Sequence, residues 1–408
     1  MNALVFNCNY NGLSVIRELG RRGVRVLALD CERSPGTVSR YARFVPCPDP
    51  AVAETAFVRR LLELAGGLEG RPVLFATNDA WAAAISRHKQ RLEPHYTPCV
   101  AEWPVVSLLL DKGRFHDWAA ARGYPVPASR PASEAHALGD EAFPIVAKPR
   151  CRRQAADTHH AGEGSRRLDR LRLTVLRTRR ELDRFLEANA ELLDQLLLQD
   201  YVEGMADCMV TVGVYADRGH EVKGLFTGRK LRGDPPDMGN CMAGQAEQVP
   251  EELKDIARRL CREVGYHGIA EFEFKRHAVT GRFHLLEVNP RSWSWVGITP
   301  ACGVSLAWLA YCDLTGRGPL RPLESSVPTG SVKWVSLIAD FQNCLWRYRR
   351  RGYPQWGLSL AQWWRSLRAQ RLVTAEFAAD DPLPGLFALY LAARAGARGL
   401  VGRLTGRR

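Results

Sequence analysis

Phe283-His-Leu-Leu-Glu-Val-Asn-Pro-Arg291 ends an apolar strand on an acid, an amide and a guanidinium, and the fold turns on how it is read. Upstream lies Gly268-Ile-Ala-Glu-Phe-Glu-Phe274, and Thr280-Gly281 between the two reads as a hairpin turn. Two antiparallel strands would then set Glu271 or Glu273 beside Glu287. Side chains alternate along a strand, so Glu271 and Glu273 share a face, and hairpin length favours Glu273. With Asn289, such oxygens suit a hard cation like Mg²⁺, which keeps several waters and completes its shell with phosphate oxygens. A hairpin of this kind, taken alone, is more often a solvated ribbon, so the remainder of the chain must carry the chemistry.

The chain has 408 residues, of which 46% are hydrophobic and 25% charged, which suits a globular protein of two or three domains. Its start, Met1-Asn-Ala-Leu-Val-Phe-Asn-Cys8, lacks a basic leader and a long apolar run, so it reads as a first strand and predicts a cytoplasmic protein. Eleven cysteines are scattered without a Cys-x-x-Cys pair, which fits reduced thiols better than disulfides or structural zinc. Cys241 is expected in a polar loop, Gly239-Asn-Cys-Met-Ala-Gly244, and is assigned no role. The net charge of +13 gathers at one end, because residues 330–408 hold 13 Lys and Arg against 4 Asp and Glu. Such charge attracts any anionic surface. No nucleic-acid motif accompanies it.

Residues 3–8, 13–22 and 24–30 read as strand, helix and strand, a βαβ start that implies a parallel sheet. Val73 to Thr77 followed by Asn78-Asp79 repeats the pattern, with its polar turn at the carboxyl end of the sheet, where α/β folds bind ligands. Asp79 is expected as a helix N-cap, with substrate contact as the alternative. No Gly-x-Gly-x-x-Gly follows the first strand, which excludes a dinucleotide-binding unit there. After Pro104 a helix from Asp111 to Arg122 leads to Phe143-Pro-Ile-Val-Ala-Lys-Pro149, a strand whose Lys148 is placed to reach phosphate. Residues 150–170 read as a loop, either folding over a triphosphate or serving as a solvated linker. Further strands begin at Leu196, Cys208 and Val222, a loop is expected from Leu231 to Gly239, and an amphipathic helix from Glu251 ends at Gly265.

Lys148, Gln199-Asp-Tyr-Val-Glu-Gly204, Lys230, Glu273 and Glu287-Val-Asn-Pro-Arg291 occur in an order that resembles the ATP-grasp superfamily over roughly residues 105–310. The likeness is to its carboxylate–amine ligases, near carbamoyl-phosphate-synthase-like proteins and D-aspartate ligase. It implies a mixed α/β and α+β architecture. Residues 1–104 would form a Rossmann-like preATP-grasp domain, 105–195 and 196–325 the two ATP-grasp subdomains, and 326–408 a basic, aromatic-rich helical extension. The resemblance implies that Lys112, Lys148 and Lys230 contact ATP phosphates and that Gln199, Asp200, Tyr201 and Val202 surround the adenine. Asp207 would hold the ribose, with Glu203 as its substitute. Glu273, Glu287 and Asn289 would bind Mg²⁺, or Mn²⁺ in its place, and Arg291 would steady the transferring phosphoryl group.

The implied reaction is ATP-dependent activation of a carboxylate as an acyl phosphate, followed by attack of an amine with release of ADP and phosphate. The implied partners are small-molecule carboxylate and amine substrates, with room for a homodimer and no nucleic acid. A catalytically weak ATP-binding regulatory or scaffold protein is the alternative, raised by the lack of dense glycine after Lys148. Trp293 and Trp295, which follow Arg291, are expected mainly to pack. Arg394, Arg398 and Arg403 interrupt the last helix, expected over 386–401, too soon for a membrane span. Packing on the body is expected for it, with weak membrane-surface contact through 386–408 as the alternative.

Overall fold

The computed structural model describes residues 2–151, 171, 173–236, 239–317 and 321–404. The charged run read as a loop over phosphates falls almost wholly on 152–170, outside those residues. Among the described residues three sheets organise the chain. The first comprises β1 (Asn2–Phe6), β2 (Arg25–Asp30), β3 (Ala42–Pro46), β4 (Val73–Ala76) and β5 (Thr97–Pro98) in the order β3-β2-β1-β4-β5. All its pairings are parallel, as the βαβ pattern requires. Its strands are apolar on both faces because helices cover both. Beside it, Phe6, Phe57 and Trp81 meet in edge and stacked contacts within the core.

The second sheet comprises β6 (Ser129–Pro131), β7 (Ile145–Pro149), β8 (Thr174–Leu176) and β9 (Leu196–Asp200), in the order β6-β9-β7-β8. The third holds β10 (Met209–Ala216), β11 (Val222–Asp234), β12 (Asn240–Ala246), β13 (Gly268–Arg276), β14 (Phe283–Asn289), β15 (Leu323–Glu324), β16 (Val332–Val335) and β17 (Arg371–Thr374). Its main path runs β14-β13-β10-β11-β12-β16-β17, with β15 beside β11. Helix Glu251–Val264 ends as expected on Gly265, whose φ of 72° is the left-handed cap that glycine adopts without a Cβ clash.

Two expectations fail here. Leu231–Asp234 continue β11, and Cys241 lies in β12, 2% exposed, with burial pushing its thiol well above its usual range. Polar, glycine-containing sequence favours a loop, yet a Cβ at Gly244 would come within 2.8 Å of the Trp295 ring. A small residue is needed for the strand to pass beneath that indole.

The C-terminal segment is fastened to the body. Arg232 makes bonds of 2.8 and 2.7 Å to Asp340, which also accepts from the Trp363 indole at 2.8 Å. Arg17 donates to Asp381 at 2.9 Å, and Ser39 donates to the same carboxylate at 2.7 Å. The last helix spans Leu383–Leu404, starting a turn earlier than expected. It packs through Pro384, Gly385 and Ala388, whereas Leu389 to Leu391 and Ala393 to Ala395 are mostly exposed, so packing on the body holds for its first turns. Among the described residues no helix is long and apolar enough to cross a membrane.

Candidate active site

The two acid-bearing strands pair as the sequence suggests. Glu271 stands opposite Asn289 and Glu273 opposite Glu287, so alternation puts all four side chains on one face of the ribbon. The register then shifts, pairing Phe274 with Leu285 and leaving Leu286 as the extra residue of a bulge. Gly281, at φ 72°, closes the turn.

Cations meet the carboxylates of this face from two elements. Lys112, first residue of helix Lys112–Ala120, donates to Glu287. Lys230 of β11 sits 3.2 Å from Glu273. Burial alone would lower Lys230, but Glu273 and Glu271 together hold it above the ordinary lysine range. Burial first, and then Glu273, push the Glu271 carboxyl up to about 8, although Thr211 and Asn289 both donate to it. Glu273 and Glu287 are each paired with a lysine and Asp79 with Arg291, which leaves Glu271 held by neutral donors alone. Among the described residues no group of three or more His, Cys, Asp and Glu could hold a metal by itself.

Lys148 ends β7 deep in the protein. Burial first, then Lys112, lower it to about 7, with Glu287 opposing. Its ammonium is 2.9 Å from the Gln199 side-chain oxygen, so Gln199 faces the lysine as well as the cavity. Gln199 in turn donates to His116 Nδ1 at 3.1 Å, and His116 Nε2 lies 2.8 Å from the Leu286 carbonyl at the bulge. Burial, followed by Lys148, depresses His116 to about 4, so the ring is neutral, with Nε2 donating and Nδ1 accepting. Nothing in the sequence marked His116; its place four residues after Lys112 on one helix face was the only available signal.

Arg291 reaches across to the first sheet. Its Nε donates to Asp79 at 2.6 Å and its Nη2 to Asn289 at 3.1 Å. Asp79 is thus not the N-cap; Asn78 caps the helix, accepting from the Trp81 amide at 3.1 Å. Asn11, also missed from sequence, donates to the Thr77 and Ser292 carbonyls at 2.6 and 2.9 Å, tying two loops of the first sheet to the end of the ribbon.

Two cavities adjoin the carboxylate face. The larger, about 570 Å³, has Val146, Tyr201, Val202, Met209 and Leu286 in its wall. The smaller, about 230 Å³, is lined by Asp79, Arg291, Trp293 and Trp295 among others. Lys112, Lys230, Asn240, Glu273 and Glu287 line both, so they form the partition between them. Lys148, Gln199 and Asp200 border only the larger, and Asn289 and Glu271 only the smaller. Asp207 and Glu203 are exposed and line neither. The indoles of Trp293 and Trp295 are 2% and 1% exposed, seated over glycines: a Cβ at Gly213 would come within 2.1 Å of Trp293, and one at Gly228 within 2.7 Å of Trp295.

No family model matches the chain. A D-aspartate ligase of Enterococcus faecium (strain Aus0004) is 24% identical over 256 residues, covering 60% of this chain and 58% of that protein. The match therefore takes in less than two thirds of the relative's length. Three solved structures share the fold. The biotin carboxylase domain of Hydrogenobacter thermophilus 2-oxoglutarate carboxylase, in complex with MgADP, superposes with a TM-score of 0.57 at 18% identity, covering 77% of this chain and 70% of that one. The L-amino acid ligase of Bacillus licheniformis gives 0.56 at 16% identity, covering 80% and 75%. The N5-carboxyaminoimidazole ribonucleotide synthetase of Thermus thermophilus gives 0.57 at 18%, covering 81% of each chain.

Proposed function

Because the chain has the ATP-grasp fold, we propose that it is an ATP-dependent ligase that activates a small carboxylate, an amino acid or peptide, as an acyl phosphate and joins it to an amine. The observation that carries this reading is the partition: two cavities meet at one face where lysines and carboxylates alternate. A nucleotide in the larger space would direct its terminal phosphate at an acid held in the smaller. The sequence likeness to a D-aspartate ligase and the fold shared with an L-amino acid ligase support the substrate class.

A carboxylate resists amines because its carbonyl is a poor electrophile, and phosphorylation turns one oxygen into a leaving group. Lys148, Lys112 and Lys230 would hold the phosphates and spread the charge that develops as the phosphoryl group moves. Glu273, Glu287 and Asn289 would hold Mg²⁺, or Mn²⁺, which when bound supplies charge neutralisation on the phosphate oxygens. Arg291, kept charged by Asp79 against the opposing effect of burial, would orient the acid and steady the acyl phosphate. The buried indoles would keep water from it. ADP would leave first and phosphate after the amine attacks, so no nucleophilic side chain is required.

Purified protein with MgATP and paired amino acids, in both enantiomers, should release ADP and give a product whose mass is the sum of the pair less water. Glu287→Gln should lower that turnover by about a hundredfold or more. Binding of MgADP without ADP release for any pair would overturn the ligase reading in favour of an ATP-binding protein without turnover.

A further inference from the structure

The C-terminal segment takes no part in the chemistry above. All four of its acids are occupied: Asp340 by Arg232, Glu376 by the Ser336 hydroxyl and the Leu337 amide, Asp380 by Arg21 and Tyr41, and Asp381 by Arg17. Arg349, Arg350, Arg365, Arg368, Arg371 and Arg394 of the same segment are exposed. What it turns to solvent is therefore positive without an offsetting free acid. On helix Leu383–Leu404 the side toward the body carries Pro384, Gly385 and Ala388, and a Cβ at Gly385 would meet the Phe377 ring at 2.4 Å. The opposite side holds Leu383, Leu386 and Tyr390, 54%, 58% and 55% exposed, at intervals that keep them on one stripe, with Leu389 at its edge.

A stripe of large apolar side chains that includes Arg394, on a segment whose other exposed arginines meet no free acid, calls for a cover that is both anionic and oily. Nucleic acid meets the first condition but gives leucines no partner. A second copy of the chain would bring like charge against like charge. We propose that this helix lies on an anionic lipid bilayer, Leu383, Leu386 and Tyr390 entering the headgroup region and Arg394 contacting lipid phosphate. The proposal is independent of the ligase reading.

Sedimentation of the full chain with phosphatidylcholine vesicles, with and without phosphatidylglycerol, tests it. The chain should pellet with the anionic vesicles at low salt, stay in solution with the neutral ones, and be released at high salt. The double variant L386D/Y390D should bind about tenfold less while keeping its melting temperature and MgADP binding. Failure of the wild type to pellet with anionic vesicles would overturn the proposal. So would retention that L386D/Y390D leaves unchanged, which would mean charge alone, or a wild-type dimer in light scattering that the variant dissociates, which would mean a second copy.

Discussion

Lys148 shows how a single residue can report on the whole site. Enclosed at the end of β7, it is lowered to about 7 by burial and by Lys112, far below a free lysine. The folded chain then binds fewer protons than the unfolded one between roughly pH 7 and 10, so the free protein should gain stability as pH rises through that window. Phosphate favours the ammonium form. Binding of MgADP at pH 8 should therefore draw in most of one proton, roughly 0.9, seen by calorimetry in buffers of different ionisation enthalpy. Lys148→Met should abolish that uptake and weaken binding. No proton uptake by the wild type would contradict the placement of Lys148 at the phosphates. The lysine itself was legible in the sequence, because a cation at the end of an apolar strand stands out. Its partner Gln199 was legible only as a neighbour of the nucleotide, and its bond to Lys148 was not.

At the scale of the element, the β13–β14 ribbon owes its chemistry to alternation and its precision to a bulge. Alternation puts Glu271, Glu273, Glu287 and Asn289 on one face, and this could be read from spacing alone. The bulge at Leu286 could not, since it depends on the Leu286 carbonyl accepting from His116 on a distant helix. His116→Ala would strand that carbonyl, while the Gln199 amide keeps the Ser129 hydroxyl at 2.9 Å, at a cost of about 2 kcal/mol in stability. It would also release Glu287 from its register, so MgADP affinity should fall by about tenfold, with His116→Gln restoring part of it. A lower melting temperature with unchanged MgADP affinity would reduce His116 to a packing role. The strand Asn240–Ala246 was missed for a related reason: its Gly244 is required by Trp295 above it, a neighbour far along the chain.

The whole molecule is closed by contacts between its two ends. Arg17, on the first helix, and Asp381, ahead of the last, form a pair with side chains 7% and 0% exposed. Breaking such a pair leaves an uncompensated buried charge, so Asp381→Ala should cost about 3–5 kcal/mol in urea unfolding, whereas replacing both partners with apolar residues should cost much less. A loss under about 1 kcal/mol for the single variant would show that water already reaches the pair. The sequence by itself determined the parallel first sheet, the acid ladder of the hairpin and the order of the lysines that line the larger cavity, because these rest on local period, turn glycines and order along the chain. Only the tertiary structure decided that Asp79 grips Arg291, that His116 links Lys148 to the bulge through Gln199, that one ribbon divides two cavities, and that the terminal acids are all paired within the chain. Pairings between residues far apart in the chain leave no trace in local periodicity, since they are set by how the sheets stack and not by how each strand is patterned.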